Sequence, residues 1–221
     1  MNLPRLKHES LLKEKNLWQI YRASWTIPDS KFNWIAGLSS MALFGFYAIT
    51  AQNVVGMHGL LMKLAEIGFS SAVSLLGFLI AGFTIFGSLT NPKLLLTMLR
   101  FQEKRSRLSY LKYNFFTLIR TFIYFLVFAA FQLIVIIVGQ RDGLVSEIAI
   151  WLPSFQPLLR PLLRFTFLVS TVLWTVSFLQ LKSFVFNVHH FVFTMIKFDA
   201  VEHNDQLQAD KSDDQVEEDS Q

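Results

Sequence analysis

The sequence predicts an all-α protein: a polytopic membrane bundle of about four transmembrane helices with cytoplasmic N- and C-termini. Three observations predict it. Of the 221 residues, 52% are hydrophobic and only 16% are charged, whereas a soluble domain carries about a quarter charged residues to clothe its surface. Uncharged apolar runs of about 20 residues, the length that crosses a hydrocarbon core, recur along the chain. Lys and Arg concentrate in alternate connections between those runs, as the positive-inside rule requires of a membrane protein.

Residues 1–31 form a basic cytoplasmic segment with Arg5, Lys7, Lys13, Lys15, Arg22 and Lys31. It holds no apolar core followed by a small-residue cleavage site, so the first apolar run is expected to stay in the bilayer as an anchor. The membrane domain occupies 32–198, with spans at about 34–55, 68–89, 121–140 and 165–182. A buried helix of a soluble bundle would show a polar stripe with a period near 3.6. The third run, TFIYFLVFAAFQLIVIIVG, offers only Thr121, Tyr124 and Gln132 toward one. Orientation follows from charge. The N-terminal segment and the second connection hold six Lys and Arg each, against Lys63 in the first connection and Arg141, Arg160 and Arg164 in the third. Four crossings then return the C-terminus to the cytoplasm.

The connections differ in character. The basic 93–112 segment, KLLLTMLRFQEKRSRLSYLK, is expected to be helical, to extend the flanking spans and to sit against anionic headgroups. The third connection carries Pro153, Pro157 and Pro161 at four-residue intervals. That density opposes one straight helix, so a broken interfacial segment with Trp151 at headgroup level is expected. Residues 199–221 hold nine acids against one Lys and no aromatic; this composition predicts a disordered acidic tail.

The pattern most open to a functional reading lies on the second span. Ser70, Ser74, Gly77, Ala81, Thr84 and Ser88 follow at alternating steps of four and three, which keeps them on one helix face. Small residues let helix backbones approach closely, so the stripe is either a helix-packing face or the hydroxylated wall of a pore formed by several subunits. Two ionisable residues mark membrane edges. Arg120 opens the third span, where its side chain is expected to snorkel to the headgroups. Lys182 interrupts the apolar stretch from Phe165 to Ile196, and the span is expected to end there.

Catalytic patterns are missing from the sequence. With no cysteine there is no thiolate nucleophile. His189 and His190 are adjacent and point about 100° apart on a helix, unlike a zinc-binding pair. No phosphate loop or nucleophile elbow occurs. The sequence therefore predicts no enzyme activity and no cofactor.

The basic N-terminal segment, the Phe-rich spans, the run SLLGFLIAGFTIFGSLTNPKLLLTML at 74–99 and the charged tail resemble the transmembrane effectors of bacterial retron anti-phage systems. The resemblance implies an inner-membrane protein restrained by a cytoplasmic reverse transcriptase and its RNA–DNA product. That complex would contact the basic 93–112 segment or the acidic tail. Release would let the effector oligomerise and disrupt the membrane, killing the infected cell before phage mature. The chain departs from those effectors in offering four spans where two are usual. The alternatives are a small channel or transporter subunit, or a membrane scaffold with a housekeeping role.

Overall fold

A computed structural model describes residues 16–25, 27, 30–89, 95–96, 98–99, 101–102, 108–140, 143–152, 154 and 156–218. Among the described residues six helices have defined bounds: α1 Leu17–Ser24, α2 Lys31–Thr50, α3 Val54–Leu89, α4 Tyr110–Gly139, α5 Leu144–Trp151 and α6 Gln156–Glu218; residues 95–96 and 98–99 are helical as well. The described residues contain no strand, and one isolated bridge joins Gln102 to Ser109. α2, α3, α4 and α6 are each long and apolar enough to cross a membrane. The protein is thus an all-α membrane protein with four candidate spanning helices.

The helix ends differ from those expected, for local reasons. α2 starts at Lys31 and stops at Thr50, because Ala51 turns to an extended conformation. The next helix begins at Val54, fourteen residues before the expected Gly68. Asn53 starts it, its Oδ1 accepting from the Gly56 N–H at 2.8 Å, as helix-capping residues do. The first connection therefore shrinks to Ala51–Asn53, and Lys63 lies exposed on α3. α4 reaches back to Tyr110, preceded by the Gln102–Ser109 bridge. The 93–112 segment is consequently not one helix. Its cations Lys93, Arg100, Lys104, Arg105 and Arg107 lie outside the described residues.

In the third connection the chain breaks at Leu152, after the short α5. Pro157 falls in the first turn of α6, where a missing N–H costs no helical bond. Pro161 sits inside α6 and forgoes one bond. α6 then continues through Glu218, so residues 199–218 are helical where a disordered tail is expected. The costly step in helix formation is nucleation. Here the apolar part of α6 has already supplied the nucleus.

The chain forms two compact units. One gathers 1–27, 86–118 and 184–221, the segments that hold most of the charge. It contains α1, capped by the Asn16 side chain bonding to Gln19 N–H at 2.9 Å. On α1, Tyr21 lies 5.7 Å from Trp18 and 5.9 Å from Trp25, ring to ring.

The other unit comprises 28–85 and 119–183, the membrane bundle. Its contacts fix its topology. Along α2 and α6 the pairs are Asn33 with Ser183, Ser40 with Thr175, Tyr47 with Phe167 and Ala51 with Arg164. As one number rises the other falls, so these helices are antiparallel. Gln132 with Ser170 and Phe128 with Trp174 make α4 antiparallel to α6 in the same way. α2 and α4 run one way and α3 and α6 the other, so the chain alternates direction at each crossing. The tightest core lies toward the α2–α3 turn, where Ala48, Met57, Leu61, Ala65, Val135 and Phe167 pack together.

Candidate functional site

α6 is the hub of the bundle. Its polar side chains reach each of the other three spanning helices. Ser170 Oγ donates to Gln132 Oε1 on α4 at 3.1 Å. Trp174 Nε1 donates to the Leu64 carbonyl on α3 at 3.2 Å. The Thr175 and Ser40 hydroxyls, on α6 and α2, are 2.6 Å apart. In hydrocarbon a polar group has no water to fall back on, so such bonds fix helix order more than they add stability; each contributes about 0.6 kcal/mol. Gln132 is fully buried, and its Nε2 has no acceptor.

The close crossing of these helices depends on Gly68. A Cβ there would lie 3.1 Å from Phe128 Cζ, 3.1 Å from Trp174 Nε1 and 3.2 Å from Gln132 Cγ. Below this crossing, toward Lys182, the helices leave a cavity of about 360 Å³ lined by Ile67, Leu75, Phe125, Trp174, Phe178 and Leu181 among others. Its lining is almost wholly apolar, with only Ser71 and Ser177 contributing hydroxyls. Among its lining residues there is no acid, His or Lys, and its apolar walls suit hydrocarbon.

α3 has two opposed faces. Met57, Leu61, Ala65, Gly68, Ala72 and Leu79 are buried and point into the bundle. Ser70, Ser74, Gly77, Ala81 and Thr84 lie on the other side and are all exposed. Ser88 continues their register in α3, and its side chain lies outside the described part. These five residues therefore lie away from the buried face that packs α3 into the protomer. That work falls to a second set of small residues, Ala65, Gly68 and Ala72, which the spacing of the first set obscures. Two hydroxyls of the outer face are satisfied by their own helix, Ser74 on the Ser70 carbonyl and Thr84 on the Ile80 carbonyl, both at 3.0 Å. Nothing lies within 4 Å of a Cβ at Gly77.

The two edge charges behave differently. Arg120 is only 6% exposed and does not snorkel to the headgroups as expected. Phe116, Thr117 and Thr121 on the same turns of α4 are buried too; Arg120 lies on the inward face and follows them. Lys182 is exposed. Its Nζ donates to Asn33 Oδ1 at 3.0 Å and stands 4.3 Å above the Phe32 ring. Asn33 Nδ2 in turn donates to Ser183 Oγ at 3.1 Å. Lys182 thus sits level with the first turn of α2, where that helix begins its crossing.

A second polar layer closes the opposite end. Arg164 Nη2 donates to the Ala51 carbonyl at 3.3 Å, and a His58 ring nitrogen lies 2.8 Å from the Gly139 carbonyl. Arg164 and Lys182 are eighteen residues apart on α6. At about 1.5 Å per residue the layers are about 27 Å apart, close to the roughly 30 Å of a hydrocarbon core. Between them, Phe46, Ile134 and Phe178 face outward, each more than half exposed.

No protein-family model, curated protein or solved structure matches the chain. Sequence reasoning assigns no role to Asn33, Gly68 or Trp174, and counts Arg164 only as a connecting positive charge. A lone Asn at a span edge and a lone Trp within a span were the visible signals for two of them.

Proposed function

We propose that the protein is a non-enzymatic inner-membrane effector of an anti-phage, abortive-infection system. It self-associates through the outer face of α3 and permeabilises the bilayer when triggered. The observation that carries self-association is the exposure of Ser70, Ser74, Gly77, Ala81 and Thr84 on a spanning helix whose opposite face already serves the protomer. Against lipid alone such a face gains nothing from being small. Against another helix it permits close backbone approach and van der Waals contact. The non-enzymatic reading rests on the sequence, which carries no catalytic constellation. The anti-phage setting rests on the resemblance to retron effectors. In that setting a cytoplasmic reverse transcriptase with its RNA–DNA product would hold the basic 93–112 segment or the acidic end of α6.

Inducing the chain in bacteria without partner proteins tests this reading. Membrane potential, followed with a voltage-sensitive dye, is expected to collapse within the first generation, with viability falling alongside. Unchanged potential and growth at verified membrane expression would contradict it.

One observation favours a second reading, a membrane scaffold. α6 continues as a helix for 36 residues beyond Lys182, and Val185, Phe186, Phe193 and Ile196 are exposed along it. A scaffold would leave the potential intact and bring down a soluble protein that is lost when 184–221 is removed.

A further inference from the structure

Arg160 and Arg164 stand one helical turn apart near the start of α6. Like charges at this spacing repel each other. A pair of them persists without cost where an anion lies between. The described residues supply none: no carboxylate pairs with either guanidinium. Arg160 is exposed. Arg164 has its Nε sealed from solvent with no acceptor, and its Nη2 makes only the 3.3 Å bond to the Ala51 carbonyl. A snorkelling arginine extends its head into water; this one holds its Nε against the protein.

Two further observations say what kind of anion fits. The layer at Arg164 lies about 27 Å along α6 from the Lys182–Asn33 layer, which puts it at the depth where lipid phosphates begin. Pro161, Leu162 and Phe165, interleaved with the two arginines, are apolar and exposed. The two cations are thus set among exposed apolar side chains, with Phe165 continuing toward the span, surroundings that suit a phospholipid better than a free ion.

We infer that Arg160 and Arg164 form a binding site for the phosphate of an anionic phospholipid, with its acyl chains lying along α6 beside Phe165. A guanidinium offers paired N–H donors in a planar fork that matches two phosphate oxygens. The inference needs the helices to cross a bilayer but does not depend on the effector reading.

Native mass spectrometry of the full chain in mild detergent, titrated with phosphatidylglycerol, tests the site. The wild type is expected to hold one phosphatidylglycerol about tenfold more tightly than R160Q/R164Q, which has lost the charge-assisted bonds. R160Q alone changes an exposed side chain, so the fold is kept, and part of the loss is expected. R160K/R164K keeps the charge but not the fork and should fall between. Diacylglycerol, which lacks the phosphate, should form no stable adduct, and excess inorganic phosphate should leave the lipid bound. Equal phosphatidylglycerol affinity in wild type, R160Q and R160Q/R164Q would overturn the proposal. Release by inorganic phosphate would also overturn it, by assigning the arginines to a free anion.

Discussion

Replacing Gly68 by leucine is expected to destabilise the bundle by about 3 kcal/mol, at the upper end of ordinary overpacking costs. Three side-chain atoms from two helices, on Phe128, Gln132 and Trp174, already stand 3.1–3.2 Å from where a single Cβ would go. Trp174 is held in place by its bond to the Leu64 carbonyl and by the 5.3 Å edge contact with Phe128, so it yields little. Alanine at the same position is expected to be much milder. It recovers about 1 kcal/mol of helix propensity relative to glycine, which offsets a displacement of a few tenths of an ångström. Detergent-solubilised protein, unfolded by titration with a denaturing detergent and followed by far-ultraviolet circular dichroism, would measure both. Equal midpoints for the leucine variant and the wild type would refute the tight crossing.

Gly77→Leu, only nine residues further along α3, should do the reverse. A Cβ at Gly77 meets nothing within 4 Å, and leucine is the better helix former by up to about 1 kcal/mol. The protomer should be as stable as the wild type or slightly more so. Self-association should weaken, because a bulky side chain on the small-residue face holds a neighbouring helix away. A loss of about 1.4 kcal/mol is a tenfold weaker association. Energy transfer between donor- and acceptor-labelled protomers in vesicles measures it, and the depolarisation phenotype should fade in parallel. Retained association in Gly77→Leu, and again with Ser74→Leu added, would remove the outer face of α3 from the mechanism. The two glycines separate folding from assembly on one helix.

The spans themselves were legible because hydrocarbon solvation imposes a length and a charge rule that local sequence reveals. The fourth, expected at 165–182, falls inside the longer apolar helical stretch Gln156–Lys197, within which Arg164 and Lys182 make the polar layers. Ends and faces were less legible. α3 starts at Val54 because Asn53 caps it and Met57, Leu61 and Ala65 continue its buried face; Lys63 and Glu66, exposed on the other sides, mask this from a hydropathy count. Arg120 showed its depth in sequence but not its direction, which depends on where Phe116 and Thr121 pack. The small-residue stripe was visible, but whether it faced inward or outward depends on the register of α3 against α4 and α6. That register is set by contacts such as Gly68 against Trp174, separated by more than a hundred residues. The acidic end of α6 is helical, which its composition does not reveal because composition describes an isolated segment, whereas here a helix arrives already nucleated.

The placement of the bundle in a bilayer can be tested directly, since the chain contains no cysteine and single cysteines can be introduced on a clean background. The positions to use are Arg160, Phe178 and Phe186, all exposed on α6, together with Phe46 and Ile134 on the other helices. A membrane-impermeant maleimide applied to sealed vesicles of each orientation should label Arg160→Cys from one side only and Phe186→Cys from the other only. Phe178→Cys, Phe46→Cys and Ile134→Cys, although outward-facing, should label from neither side until detergent is added. Ready labelling of these three without detergent, or labelling of both α6 ends from the same side, would contradict a bundle solvated by acyl chains between Arg164 and Lys182.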